Sequence, residues 1–197
     1  MAYLWLFIII MGVLGVVLYM RQQSGKSLPF ASQPQALPSL ERTVFTLEVG
    51  DIVQHLGIDW VVEGKLVYDD QGYSWLEYLL QDGNRRQWLS VEEDDVVEVA
   101  LLEVTTALEV GTNPPPELTF ANETYRHKGS GMAQMTRKGS TLNRNAERCH
   151  YFDYQGPDNK ILSIENWDGD IEVTIGQKIH PSMLTLLPGD GRRIYGA

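Results

Sequence analysis

Two hydrophobic patterns divide the 197-residue chain. Nineteen uncharged positions run from Ala2 to Met20 and stop at Arg21. A helix over that run rises about 28 Å, close to the ~30 Å hydrocarbon core of a bilayer, and satisfies its backbone hydrogen bonds internally. Tyr3, Trp5 and Tyr19 lie near its ends, where amphipathic rings favour the headgroup region. A cleaved signal peptide fits poorly: no basic residue precedes the run, no Ala-x-Ala-like site follows it, and it exceeds the usual apolar core. The pattern therefore predicts a transmembrane helix over 1–20, with membrane lipid contacting Ala2 to Met20. Residues 21–40, carrying Pro29, Pro34 and Pro38 and few large apolar side chains, read as a flexible linker.

Beyond Leu40 the period is two more often than 3.6. Thr43–Val49 alternates and is rich in β-branched residues. Short runs at 59–63, 65–68, 75–80 and 88–91 are separated by Gly64, Asp69-Asp-Gln-Gly72 and Gln81-Asp-Gly-Asn84, the spacing of hairpins in a meander. Residues 96–104 fit a strand or a short helix. After Pro114-Pro-Pro116 the style repeats, with runs at 149–154, 160–165 and 171–175. Trp75-Leu-Glu-Tyr78, a turn, then Trp88-Leu-Ser-Val-Glu92 parallels Tyr151-Phe-Asp-Tyr154, a turn, then Ile161-Leu-Ser-Ile-Glu165. The expected fold is mainly β: one domain over 41–190, built from two similar halves (about 41–112 and 117–190) as a duplicated antiparallel β-sandwich or partly open barrel.

Charge changes the picture in two ways. The net charge is −10, and residues 41–103 hold fifteen acidic against four basic side chains, which argues against nucleic acid as a partner. Residues 125–148 reverse the balance with Arg126, Lys128, Arg137, Lys138, Arg144 and Arg148 against Glu147. Those six cations form a candidate anionic-lipid surface, or a solvated stretch offsetting the acidic half. Arg21 and Lys26 follow the apolar run and no basic side chain precedes it, which predicts the N-terminus outside and the β domain cytoplasmic. A lone Cys149 excludes an intrachain disulfide framework.

Candidate chemistry is sparse. His55, His127, His150 and His180 show no i, i+3 or i, i+4 pairing, and Cys149 and His150 on one strand point to opposite faces, so no metal site is expected. No signature surrounds Cys149 as a nucleophile. Asp168-Gly-Asp170 lacks the rest of a calcium loop and reads as a hairpin turn. The glycines around Lys128-Gly-Ser-Gly131 and Arg137-Lys-Gly-Ser140 lack the phosphate-loop frame and read as turns needing positive φ. Neither catalytic residues nor cofactors are predicted. Trp60, Trp75, Trp88 and Trp167 are either core or, where exposed, a partner surface.

Val49-Gly-Asp51, Trp60-Val-Val-Glu-Gly64, Trp75-Leu-Glu-Tyr78, Trp88-Leu-Ser-Val91, His150-Tyr-Phe-Asp-Tyr154 and Leu162-Ser-Ile-Glu165 together resemble the bacterial domain-of-unknown-function family 4178 over roughly residues 45–188. The resemblance implies no established activity. It suggests a plasma or thylakoid membrane and, by association, membrane-stress systems. The expected role is a membrane-tethered, non-enzymatic scaffold or adaptor for a protein partner at the cytoplasmic face. The alternatives are an anionic-lipid or membrane-stress sensor, and an enzyme whose nucleophile, base and oxyanion donor the sequence does not supply.

Overall fold

The computed structural model describes residues 41–142, 144 and 147–189. The helix and linker predicted over 1–20 and 21–40 lie outside them. Among the described residues, no helix is long and apolar enough to cross a membrane. Eleven antiparallel strands appear: β1 (Ile52–His55), β2 (Ile58–Asp70), β3 (Tyr73–Asp82), β4 (Arg85–Glu93), β5 (Val97–Val104), β6 (Glu117–Phe120), β7 (Glu123–Gly139), β8 (Arg148–Gln155), β9 (Lys160–Trp167), β10 (Asp170–Ile179) and β11 (Thr185–Leu187), with one 3-10 turn at Pro181–Met183.

Eight of these strands close into a barrel in the order β2-β3-β4-β5-β10-β9-β8-β7, with β7 pairing back onto β2. The expected sandwich or partly open barrel is thus a closed one. Closure depends on a glycine bulge. The run 58–70, which Gly64 was expected to split, is one strand whose register shifts between Val62 and Gly64. Before the bulge β2 pairs with β1, and after it with β7. A Cβ on Gly64 would lie 1.7 Å from the Ser140 carbonyl oxygen, so only glycine lets the two backbones meet. Sealing this edge leaves neither half of the barrel with an open flank for foreign strands.

Three apolar layers follow from the period-two alternation. Leu66, Leu79, Trp88, Leu102, Ala133 and Met135 belong to the layer inside the barrel. Outside, Val62, Tyr78, Leu80, Leu89 and Val91 are capped by Val44 and Leu47, while Phe152, Leu162, Ile164 and Val173 pack with Leu118 of β6. The segment 43–49 was expected as a strand and is a turn. Thr43 N–H bonds the Thr46 hydroxyl (2.9 Å) and Thr46 N–H the Thr43 carbonyl (3.0 Å), satisfying locally the groups a ladder would use. Residues 97–104 resolve as strand. The Asp168-Gly169 hairpin is present, with both residues at positive φ (53° and 107°). Of the glycines at 129, 131 and 139, only Gly139, the last residue of the seventeen-residue β7, has positive φ; the other two lie in the strand's interior.

The halves correspond in detail. The barrel order reads the same when β2–β5 are exchanged with β7–β10. Trp75 lies opposite Glu92, and Glu77 opposite Ser90; Tyr151 lies opposite Glu165, and Asp153 opposite Ser163. Across the next ladder Glu92 faces Glu98, and Glu165 faces Glu172. The exchange brings Leu102 onto Gly176, and these two are direct partners across the β5–β10 seam. There a Cβ on Gly176 would sit 1.8 Å from the Leu101 carbonyl oxygen, whereas one on Gly129 would meet nothing within 4 Å. Gly176→Ala is therefore expected to lower stability by ~2 kcal/mol or more and Gly129→Ala by much less, measured by urea denaturation; equal midpoints would contradict the seam.

Candidate functional site

The barrel interior is charged. Arg144 is 1% exposed, and its guanidinium lies among three carboxylates. Nη1 donates to Glu77, and Nε (2.9 Å) and Nη2 donate to Glu172. Nη2 stands 2.9 Å from Glu165 Oε2. Nη1 also reaches the Tyr68 hydroxyl at 2.8 Å, and that hydroxyl lies 3.1 Å from Glu77 and 3.2 Å from Glu165. The guanidinium carbon lies 4.1 Å from the Trp88 ring centre and 5.6 Å from that of Trp167. Burial penalises the guanidinium charge, but Glu165, Tyr68, Glu77 and Glu172 outweigh it and hold the proton firmly. Glu165 is pushed upward by burial and by Glu77, Glu172 and Asp153, against the pull of Arg144.

Beside this cluster lies a partly open cavity of about 330 Å³. Trp75, Tyr73 and Tyr151 supply aromatic wall; Glu77, Glu92, Asp153 and Glu165 supply carboxylates. Trp75 stacks on Tyr68 with ring centres 4.6 Å apart and meets the Tyr151 ring edge at 5.0 Å. The Tyr151 hydroxyl donates to Asp70 (2.9 Å) through space that a side chain at Gly131 would fill. Asp153 is exposed on the cavity lining, with the barrel crowded around it. Desolvation by those surroundings, with Glu92 and Glu77 nearby, pushes its carboxyl up to about 6, although Ser163 donates to it at 2.8 Å and Lys178 also favours the anion.

The four tryptophans do not form an outer surface. Trp60, Trp88 and Trp167 are 6%, 1% and 5% exposed, as strand alternation buries their rings, and Trp75 is half-buried in the cavity wall. Nor do the six cations form one patch. Arg144 is the buried centre of the interior cluster and is removed from the lipid-facing set. Arg126 pairs with Glu117 (3.3 Å), Lys138 pairs with Glu48 (2.5 Å), and Arg137 donates to the Arg144 carbonyl (3.0 Å). Lys128, the bulged residue of β7, lines the cavity, and Arg148 is exposed on β8. Cys149 is buried, and burial with Glu165 nearby raises its thiol, which keeps it protonated and a poor nucleophile. Among the described residues no three of His, Cys, Asp and Glu converge to hold a metal. Sequence reasoning missed the inward set Glu77, Asp153, Glu165, Glu172 and Tyr68, although the paired Glu77/Asp153 and Glu92/Glu165 of the matching hairpins marked those positions.

The molecule is a closed β-barrel with a polar, partly filled interior. The chain belongs to the family described as Domain of unknown function (DUF4178), whose model matches residues 48–181, from just before β1 to beyond β10. It is 32% identical over 169 residues to uncharacterised proteins of Mycobacterium tuberculosis and Mycobacterium bovis, covering 82% of this chain and 78% of each relative. No solved structure matches it.

Two predictions follow from these charges. Arg144→Met strands Glu77, Glu165 and Glu172 without their cation and is expected to cost ~3–5 kcal/mol, with part regained on adding Glu165→Gln; denaturant titration checks both. Asp153 binds its proton more tightly folded than unfolded, where its pKa is about 3.9. Its contribution therefore lowers stability as pH rises from about 4 to about 6. In a melting series Asp153→Asn should match the parent near pH 4 and exceed it at pH 7; a parallel pair of curves would contradict the shift.

Proposed function

We propose that this protein is a membrane-tethered, non-catalytic binding module whose barrel receives a small ligand in its interior cavity. The observation carrying the reading is the cavity itself. Its volume lies within the ~300–1,000 Å³ range of small-molecule sites, and it joins aromatic walls to a few fixed polar groups. An adaptor working through exposed tryptophans would need rings on the outer surface; three of the four rings are buried and Trp75 lines the cavity. The run Ala2 to Met20 holds the barrel at a plasma or thylakoid membrane on the cytoplasmic side, so the occupant would be read next to the bilayer. The matched registers of the two halves support an origin by doubling of a four-stranded meander, which would enclose a cavity between two copies of one scaffold.

The test is a thermal-shift screen of small fragments against the full chain in non-ionic detergent, repeated with Ser90→Phe, which fills the cavity from β4. Binding fragments should raise the melting temperature by a few degrees in the parent and leave the variant unmoved. A screen with no hits, or hits that persist in Ser90→Phe, would overturn the reading.

A further inference from the structure

The cavity's chemistry points to the charge of its occupant, an inference resting on the cavity-binding reading above. We propose that it is a seat for an organic cation: a primary ammonium or guanidinium group on a short alkyl chain. The argument begins with the seat that the chain fills itself. Arg144 sits among Glu77, Glu165 and Glu172. Exchanging the halves strand for strand turns these into Asp153, Glu92 and Glu98. The barrel thus carries two related sets of three carboxylates. β10 links them, with Glu172 near its start and Lys178 near its end.

The second set contains no guanidinium. Lys178 approaches it but is bound to Glu98. Glu92 accepts from the Tyr73 hydroxyl at 2.8 Å, and Asp153 from the Ser163 hydroxyl at 2.8 Å. Neither makes an ion pair among the described residues. Desolvation by the surrounding barrel raises the affinity of both for protons, and Lys178 only partly opposes it. Glu165, only 3% exposed, lines the same cavity while its Oε2 stays paired with Arg144 at 2.9 Å, so it adds negative charge behind Glu92 and Asp153. Trp75, Tyr73 and Tyr151 present ring surface of the kind that Trp88 and Trp167 present to Arg144, and cations favour such faces when water is excluded.

Spread carboxylates suit an extended donor with separated N–H groups, because no three converge tightly enough for a metal ion. Lys128 and Lys178 also line the cavity. They set a limit: one cationic head fits between Glu92, Asp153 and Glu165, while the rest of the ligand must be apolar or neutral where the lysines stand.

Calorimetry on the full chain in non-ionic detergent at pH 7.5 tests this with three probes of similar length: agmatine, 1,4-butanediol and succinate. Agmatine should bind saturably, while the other two should not. Glu92→Gln and Asp153→Asn should each weaken agmatine about tenfold or more, the scale of one charge-assisted contact. Asp153→Asn is expected to be more stable than the parent at this pH, so its loss of binding would not reflect unfolding. Glu93→Gln removes an exposed acid on the same strand and should leave binding unchanged; an equal loss there would reduce the effect to net surface charge and overturn the proposal. Binding of butanediol or succinate in place of agmatine would overturn the cation assignment and leave the cavity reading standing. Failure of all three probes would overturn the cation assignment, and only a failed fragment screen would remove the cavity reading with it.

Discussion

A charge taken out of water must find its counter-charges already in place, and the centre of this barrel is organised by that requirement. Arg144 reaches the interior from outside the strands and brings its guanidinium to Glu77, Glu165 and Glu172. Without it those acids, drawn together by alternation on β3, β9 and β10, would repel one another in a poorly solvated space. With it they become a polar floor that fixes Tyr68, which in turn stacks Trp75 into the cavity wall. The cavity owes its shape to that chain of contacts. A barrel packed with aliphatic side chains would have been simpler to stabilise, and buried ion clusters add little net stability over apolar packing. Their retention here is better explained by the polar surface they create.

The correspondence of the halves turns one cluster into information about another. Each half places an aromatic, an acid, a serine and a second acid in the same register, and each brings a further glutamate from its last strand. One copy is completed by Arg144. The other has Lys178 bound to Glu98 and opens onto the cavity, with Glu92 and Asp153 outside any ion pair among the described residues. Closure by the Gly64 bulge and close contact at Gly176 hold the copies at fixed separation, so the asymmetry lies in the side chains and not in the backbone.

Much of this was legible in the sequence, and the limits were physical. The repeated hairpins were readable because they alternate large apolar with polar residues, and the same repetition marked Glu77 with Asp153 and Glu92 with Glu165. β7 was not readable. Its inward positions are Gly129, Gly131, Ala133 and Met135, mostly small to make room for Tyr151 and the interior polar groups, so the usual strand signal is missing. Segment 43–49 misled in the opposite direction: its β-branched residues alternate, yet Thr43 and Thr46 bond each other and turn the chain. Arg144 carries no local mark of burial. In one dimension it is one cation among six, and only the barrel's closure brings it to acids 21 to 67 positions away.

The central claim is that the cavity's carboxylates await a cation. The most direct measurement follows the Asp153 side-chain carboxyl by carbon NMR through a pH titration, with and without saturating agmatine. A bound cation favours the anion, so the midpoint should start near 6 and move down when agmatine is present. A midpoint near 4 in the free protein, or one that agmatine leaves in place, would contradict the account.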